Sequence, residues 1–148
     1  MALYAIGDLH LCLGAEKPMD IFGGAWVGYM DKLKEGLSVI GPEDTTVLLG
    51  DLSWALELQE AYADFAWIDK IPGKKIILKG NHDYWWQGIT RIREKLPEGF
   101  YALQNDAVKI GNVVFCGSRG WAVEGSPDFN EHDDHIYKRE AERFKLAL

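Results

Sequence analysis

Short apolar runs alternate along this chain with longer segments of mixed character. Three runs have the composition of buried β-strands: Leu3–Ile6, Thr46–Leu49 and Lys75–Leu78. The first segment between them has apolar residues near i, i+3 and i+4 spacing, which predicts a helix over Trp26–Val39. Two further helices are predicted over Trp54–Ile68, with Ser53 as N-cap, and Tyr84–Leu96.

The pattern changes after Leu96. Three short strands are predicted at Tyr101–Leu103, Ala107–Ile110 and Val113–Cys116, the last two joined as a hairpin, and a helix follows from about Asp134. Alternation of strands and helices implies parallel pairing, and the hairpin implies some antiparallel pairing. The expected fold is therefore α/β with a mixed sheet, in one domain spanning residues 1–148.

Composition narrows the class of protein. With 47% apolar residues and six Trp in 148, the chain is expected to fold around a real core. A net charge of −7 argues against long nucleic acid as a partner, because phosphate contacts require clustered Lys and Arg. Two distant cysteines, the lack of a signal peptide and the lack of an apolar run of about 20 residues predict a cytoplasmic protein that does not enter membranes.

Polar clusters follow each of the first three predicted strands. They are Asp8-Leu9-His10, Gly50-Asp51 and Gly80-Asn81-His82-Asp83. Parallel strands deliver the residues beyond their carboxyl ends to one edge of the sheet, so the clusters are expected to meet there. Oxygen and imidazole ligands in one place suit a pair of divalent metal ions. Each cluster alone also has an ordinary explanation, as a turn, a cap or a polar loop.

The chemistry assigned to each residue follows from its type. In an extended chain Asp8 and His10 point the same way and can share one ion. Asp51 has two oxygens and can bridge two ions, with Gly50 permitting a close backbone approach. Asn81 offers a neutral oxygen ligand. His82 can protonate a leaving-group oxygen, and Asp83 can orient its imidazole.

This order of motifs, each after a strand, resembles the calcineurin-like metallophosphoesterase superfamily. The resemblance implies a β-sandwich flanked by helices and hydrolysis of a phosphomonoester or phosphodiester. It implies two divalent ions, drawn from Mn, Fe, Zn or Ni, held by Asp8, His10, Asp51 and Asn81. His82 and Asp83 would be catalytic. Arg119, in the Gly117–Trp121 segment that also resembles one bacterial branch, is a weaker substrate-binding candidate.

The chain departs from the family pattern in its later histidines. The family continues with a further His and a Gly-His-x-His motif, whereas only His132 and His135 follow His82 here. Histidines at i and i+3 of a helix can share a metal ion, but these two are interpreted mainly as part of an acidic turn that begins the last helix, with Asp133 or Asp134 as its N-cap. The expectation is therefore a partial domain, the N-terminal two-thirds of the family fold.

Three functional hypotheses remain open from the sequence. The first is a metal-dependent phosphoester hydrolase. The second is a truncated, non-catalytic scaffold or binding protein. In the third, another chain completes the site, and a homo-oligomer forms through the exposed edge of the sheet.

Overall fold

The computed structural model describes residues 1–148, which divide into a unit of residues 1–102 and a unit of residues 103–148. The first unit is built on a parallel sheet with its strands in chain order: β1 (Leu3–Ile6), β2 (Thr45–Leu48), β3 (Lys74–Ile77) and β4 (Phe100–Ala102). Its helices are α1 (Tyr29–Leu37), α2 (Ala61–Ile68) and α3 (Ile89–Lys95), with short 3₁₀ turns at Met19–Phe22 and Gly24–Trp26. The predicted α/β class is confirmed.

The register of the sheet makes its first three strands end level. Ile6 at the end of β1 lies opposite Leu48, and Leu48 lies opposite Ile77 at the end of β3. The chain therefore leaves three neighbouring strands at the same edge, where parallel sheets place their functional loops. Beneath them, Leu48, Ile77, Phe65 and Trp85 form part of one buried apolar cluster. The loops are thus supported by the packed hydrophobic core.

The second unit contains a hairpin and a helix. Strands β5 (Asp106–Ile110) and β6 (Val113–Gly117) pair antiparallel, and α4 spans Glu131–Lys145. Both kinds of pairing expected from the sequence are present, but in separate sheets: the four-stranded sheet is entirely parallel. No helix of the chain combines the length and the hydrophobicity required to cross a bilayer.

Helix boundaries differ most from the sequence-based expectations. The helices predicted from Trp26, Trp54 and Tyr84 begin later, at Tyr29, Ala61 and Ile89. Residues between the predicted and observed starts of α2 and α3 are held by tertiary contacts instead: the Trp54 amide donates to the Leu11 carbonyl, and the Trp85 ring meets Phe65 edge-on with centroids 5.0 Å apart. Tertiary partners of this kind override local helix preference.

The last helix begins earlier than predicted. Asn130, and not Asp133 or Asp134, is the N-cap of α4, and its side chain accepts the amides of His132 and Asp133. The Asp133 carboxylate returns a bond to the Asn130 amide, which completes a capping box. Asp133 also accepts a hydrogen bond from the Trp121 indole at 3.0 Å. The acidic stretch around His132 and His135 is thus a helix start, as the sequence favoured.

Candidate metal centre

Two loops at the sheet edge run side by side beyond the ends of β1 and β2. The Asp8 amide donates to the Gly50 carbonyl at 3.0 Å, the His10 amide to Asp51 at 2.9 Å, and the Leu11 amide to Leu52 at 2.9 Å. The strands stop, but their parallel pairing continues through the functional residues. Leu9, Leu11 and Leu52 are fully buried between these polar positions and anchor both loops in the core.

The backbone is not extended at the polar positions, contrary to the expectation for Asp8 and His10. Asp8 has φ 57°, His10 φ 46° and Asp51 φ 51°, all in the left-handed region. Non-glycine residues adopt this conformation rarely and at a cost, because Cβ crowds the carbonyl oxygen. The side chains of Asp8 and His10 still meet, but a kinked backbone and not strand alternation brings them together.

Asp8, His10 and Asp51 form a candidate metal centre, which is called the metal centre below. One ligand atom from each lies within 4.8 Å of the others. His10 Nε2 is 3.6 Å from Asp8 Oδ1 and 3.9 Å from Asp51 Oδ2. Two ligands about 2.1 Å from a common ion lie roughly 3.0–3.4 Å apart. The observed separations are slightly wider than this and longer than hydrogen bonds.

The electrostatics of His10 suit a ligand. Its side chain is only 10% exposed, and burial lowers its pKa below the ordinary value, while Asp51 and Asp8 act in the opposite direction. A lowered pKa keeps the imidazole neutral at neutral pH, the form that can coordinate a metal. Asp8 is 74% exposed and opens the centre to solvent.

Asp83 lies in the third loop, which follows β3, and connects it to the second loop, which follows β2. Its buried carboxylate accepts the amides of Asp51 at 2.8 Å, Leu52 at 2.9 Å, Ser53 at 3.4 Å and Gly80 at 2.8 Å, together with the Trp85 indole at 2.9 Å. Burial raises the pKa of Asp83, and these donors oppose that shift. Because N–H groups meet both oxygens, the ionised form satisfies the most donors.

This arrangement differs from the role predicted for Asp83. The sequence placed its carboxylate behind the His82 imidazole, but the structure surrounds it with amides and an indole. The imidazole Nδ1 of His82 lies instead 3.5 Å from the Tyr84 hydroxyl. Asp83 therefore positions the backbone on both sides of the centre, and Tyr84 is the neighbour of the His82 ring.

The two oxygens of Asp51 face different parts of the site. Oδ2 lies toward His10, while Oδ1 accepts the His82 amide at 2.8 Å. The third loop, which carries Asn81 between Gly80 and His82, therefore lies against one side of this carboxylate. The side chain of Asn81 itself is exposed.

Gly50 and Gly80 make this contact between loops possible. A Cβ on Gly50 would lie 2.5 Å from the Gly80 nitrogen, and a Cβ on Gly80 would lie 2.0 Å from Asp51 Oδ1. Both distances are far below van der Waals contact. The close backbone approach predicted for Gly50 is confirmed, and Gly80 is the partner that the sequence did not identify.

An aromatic frame surrounds the metal centre and was missed in the sequence analysis. The Trp54 ring stacks on His10, with centroids 4.8 Å apart and planes 20° apart, and lies 5.0 Å from the His82 ring. Trp26 meets His10 edge-on at 6.0 Å. The available signal was position, because Trp54 follows Asp51 by three residues in the same loop. A helical interpretation of that segment concealed it.

A second buried carboxylate supports the same loops from α2. Asp64 accepts the Ser53 hydroxyl and the Leu13 amide, and burial raises its pKa. Ser53, predicted as an N-cap, does accept the Ala55 amide at 3.0 Å, but α2 starts only at Ala61. Asp64 thus holds the segments that follow both the first and the second loop.

The remaining sequence candidates have separate environments. Trp85 and Trp86 are buried in the core, whereas Tyr84 is 58% exposed beside His82. Arg119 belongs to the second unit, where its guanidinium lies 4.4 Å from the centre of the Trp121 ring. Neither His132 nor His135 belongs to the cluster of potential metal ligands.

The residues present fit a divalent metal ion. Two carboxylates and a neutral imidazole form a mixed oxygen–nitrogen donor set of the kind that borderline transition metals bind. The His10 Nε2 atom and the facing carboxylate oxygens converge without a hydrogen bond between them. The Asp51 carboxylate also presents its second oxygen toward the loop of Asn81.

Comparison with known proteins finds a matching family model. A family model described as "Metallophos: Calcineurin-like phosphoesterase" matches residues 1–146. No curated protein matches the chain significantly. Among solved structures, a protein of unknown function, AQ665 from Aquifex aeolicus, is 24% identical with a TM-score of 0.48, over 95% of this chain and 75% of that one. Similarity at that level supports no argument about function.

Proposed function

The chain belongs to the calcineurin-like phosphoesterase family, and we propose that it hydrolyses a phosphomonoester or phosphodiester using two divalent metal ions. The single observation that carries the proposal is the convergence of Asp8, His10 and Asp51 within 4.8 Å at the carboxyl edge of a parallel sheet. Family membership supports the class of reaction, and this geometry supports the choice of metal-binding residues.

Each residue of the site has a distinct task in this proposal. Asp8, His10 and Asp51 would hold one ion, and Asp51 with Asn81 would hold the second. Divalent ions bound there supply positive charge to the phosphoryl oxygens and make water acidic enough to serve as a nucleophile near neutral pH. Ion identity among Mn, Fe, Zn and Ni remains part of the proposal.

His82 is the proposed proton donor to the leaving-group oxygen. Its amide is fixed by Asp51 at 2.8 Å, and its ring lies 5.0 Å from Trp54 and 6.0 Å from Tyr84. These contacts support a catalytic position for the imidazole beside the metal centre. Protonation of the departing oxygen contributes most when the alcohol is a poor leaving group.

The first test is metal stoichiometry. Calorimetric titration of the metal-free chain with Mn²⁺ is expected to give two ions per chain. Replacement Asp51→Asn removes a negative charge and one carboxylate oxygen at the proposed bridge. It should either lower the number of ions bound per chain or weaken Mn²⁺ affinity by at least about tenfold. Asp31→Asn, an exposed position on α1, is the matched control and should bind metal like the native chain.

Activity is the second test. With Mn²⁺ present, hydrolysis of an aryl phosphate or aryl diester should depend on the metal and be lost in Asp51→Asn. Unchanged turnover in that variant would refute the bridging role. If the native chain binds no metal and hydrolyses neither ester, the non-catalytic scaffold hypothesis replaces this one.

A further inference from the structure

A second feature of the first unit lies next to the metal centre. A cleft of about 490 Å³ opens beside His82, and we call it the Lys17 cleft; its walls include Gly14, Lys17, Trp54, Leu56, His82 and Tyr84. Its volume is in the range of pockets that hold small molecules. Leu56 and Tyr84 are 65% and 58% exposed, so the cleft has apolar walls open to a ligand.

The position of His82 indicates which part of a substrate would enter the cleft. As the proposed proton donor, His82 must face the oxygen that leaves with the alcohol. The same imidazole lines the Lys17 cleft. The alcohol portion of the ester would therefore extend into this cleft, between Tyr84 and Leu56.

Lys17 gives the cleft a defined charge preference. Its Nζ lies 3.4 Å from the centre of the Trp54 ring, a cation–π contact that fixes the ammonium over the indole. His10 stacks on the same indole, with ring centroids 4.8 Å apart. Lys17 forms no ion pair with a carboxylate. It is a positioned cation whose charge is available to a ligand.

The two acidic residues of the cleft form no ion pair with Lys17. Glu60 directs one carboxylate oxygen at the amides of Leu56 at 2.9 Å and Glu57 at 3.2 Å. That carboxylate closes the turn before α2. The other acidic wall residue, Glu16, is exposed to solvent, where water screens its charge.

From these contacts we propose that the Lys17 cleft is the leaving-group subsite and that Lys17 selects alcohols bearing an anionic group on an apolar body. This inference rests on the proposed esterase function, because it uses the direction in which His82 donates its proton. The anionic group is a carboxylate, sulfonate or further phosphoryl group, all of which an ammonium binds by the same charge-assisted hydrogen bond.

The test compares two esters that differ in one charge: phenyl phosphate and para-carboxyphenyl phosphate. The ratio of their kcat/KM values is measured in the native chain and in Lys17→Gln, so that intrinsic leaving-group reactivity cancels between the two proteins. The preference for the carboxylated ester should fall about 5- to 20-fold in Lys17→Gln. Lys34→Gln, on the surface of α1, is the matched control and should leave the ratio unchanged.

An unchanged ratio in Lys17→Gln would overturn the proposal while leaving the esterase function intact. If neither ester is hydrolysed, the proposed function fails, and binding then decides the matter. The Trp54 indole N–H resonance, assigned by its loss in Trp54→Phe, is followed while para-hydroxybenzoate or phenol is added to the metal-free chain. A shift with para-hydroxybenzoate that Lys17→Gln abolishes supports the anion subsite, and equal shifts in both proteins refute it.

Discussion

Replacing Asp83 with Asn is the sharpest test of how the site is held together. The carboxylate accepts five hydrogen bonds from buried groups on two loops, two on Oδ2 and three on Oδ1. In Asp83→Asn one oxygen becomes an NH₂ group that accepts none, so at least two donors lose their partner. Each unsatisfied buried donor costs about 1–3 kcal/mol, so the free energy of unfolding should fall by about 2–6 kcal/mol. The total free energy of unfolding of a small domain is only about 5–15 kcal/mol.

The assay is urea unfolding of the metal-free chain, followed by tryptophan fluorescence, with Asp31→Asn as the control. The exposed Asp31 should change stability by less than about 0.5 kcal/mol. Where Asp83→Asn still folds, its Mn²⁺ affinity should also fall, because the orientation that loses the fewest donors puts the NH₂ group in the place of Oδ2 and releases the Asp51 amide. A loss in Asp83→Asn no larger than that of the control would show that this carboxylate is not the clamp between the loops.

Three further changes test separate parts of the molecule. Gly80→Ala should displace Asp51, since the new Cβ would lie 2.0 Å from Oδ1, and should lower Mn²⁺ affinity, whereas Gly88→Ala has no atom within 4 Å and should bind normally. His82→Ala should reduce kcat/KM by about 10²–10⁴-fold for alkyl phosphates and much less for para-nitrophenyl phosphate, and an equal loss on both would contradict proton donation. Burial lowers the pKa of Lys75, so the unfolded chain binds more protons and the free energy of unfolding should rise with pH up to about 10.4. Lys75→Met should abolish that rise in urea titrations at increasing pH.

The sheet was predictable because its signal is local. β1 matches the apolar run Leu3–Ile6 residue for residue, and β2 and β3 differ from their predicted runs by one position at either end. A short apolar segment flanked by Gly and polar residues has few alternatives to a buried strand. The meeting of Asp8, His10 and Asp51 then followed from the parallel topology, since strands in register end at one edge.

The supporting contacts were not predictable because they connect residues distant in sequence. Asp83 reads locally as a neighbour of His82, but its partners Leu52 and Ser53 lie about thirty residues earlier. The segment from Trp54 has the pattern of a helix, but the Trp54 amide donates to the Leu11 carbonyl and the Trp54 ring stacks on His10. Pattern rules describe the secondary structure that a segment prefers in isolation. Here the conformation of the loops is set by hydrogen bonds and ring contacts to residues distant in sequence.

The left-handed backbone at Asp8, His10 and Asp51 constrains how this sequence can vary. Glycine would relax each position, by roughly 1–2 kcal/mol on steric grounds, yet glycine has no side chain to bind a metal. Relief of backbone strain and metal ligation therefore make opposite demands on these positions. The conflict is clearest at the exposed Asp8, because His10 also stacks on Trp54 and Asp51 also accepts the His82 amide. Left-handed torsion angles at non-glycine residues cluster at functional sites. They therefore single out these three positions independently of burial and charge.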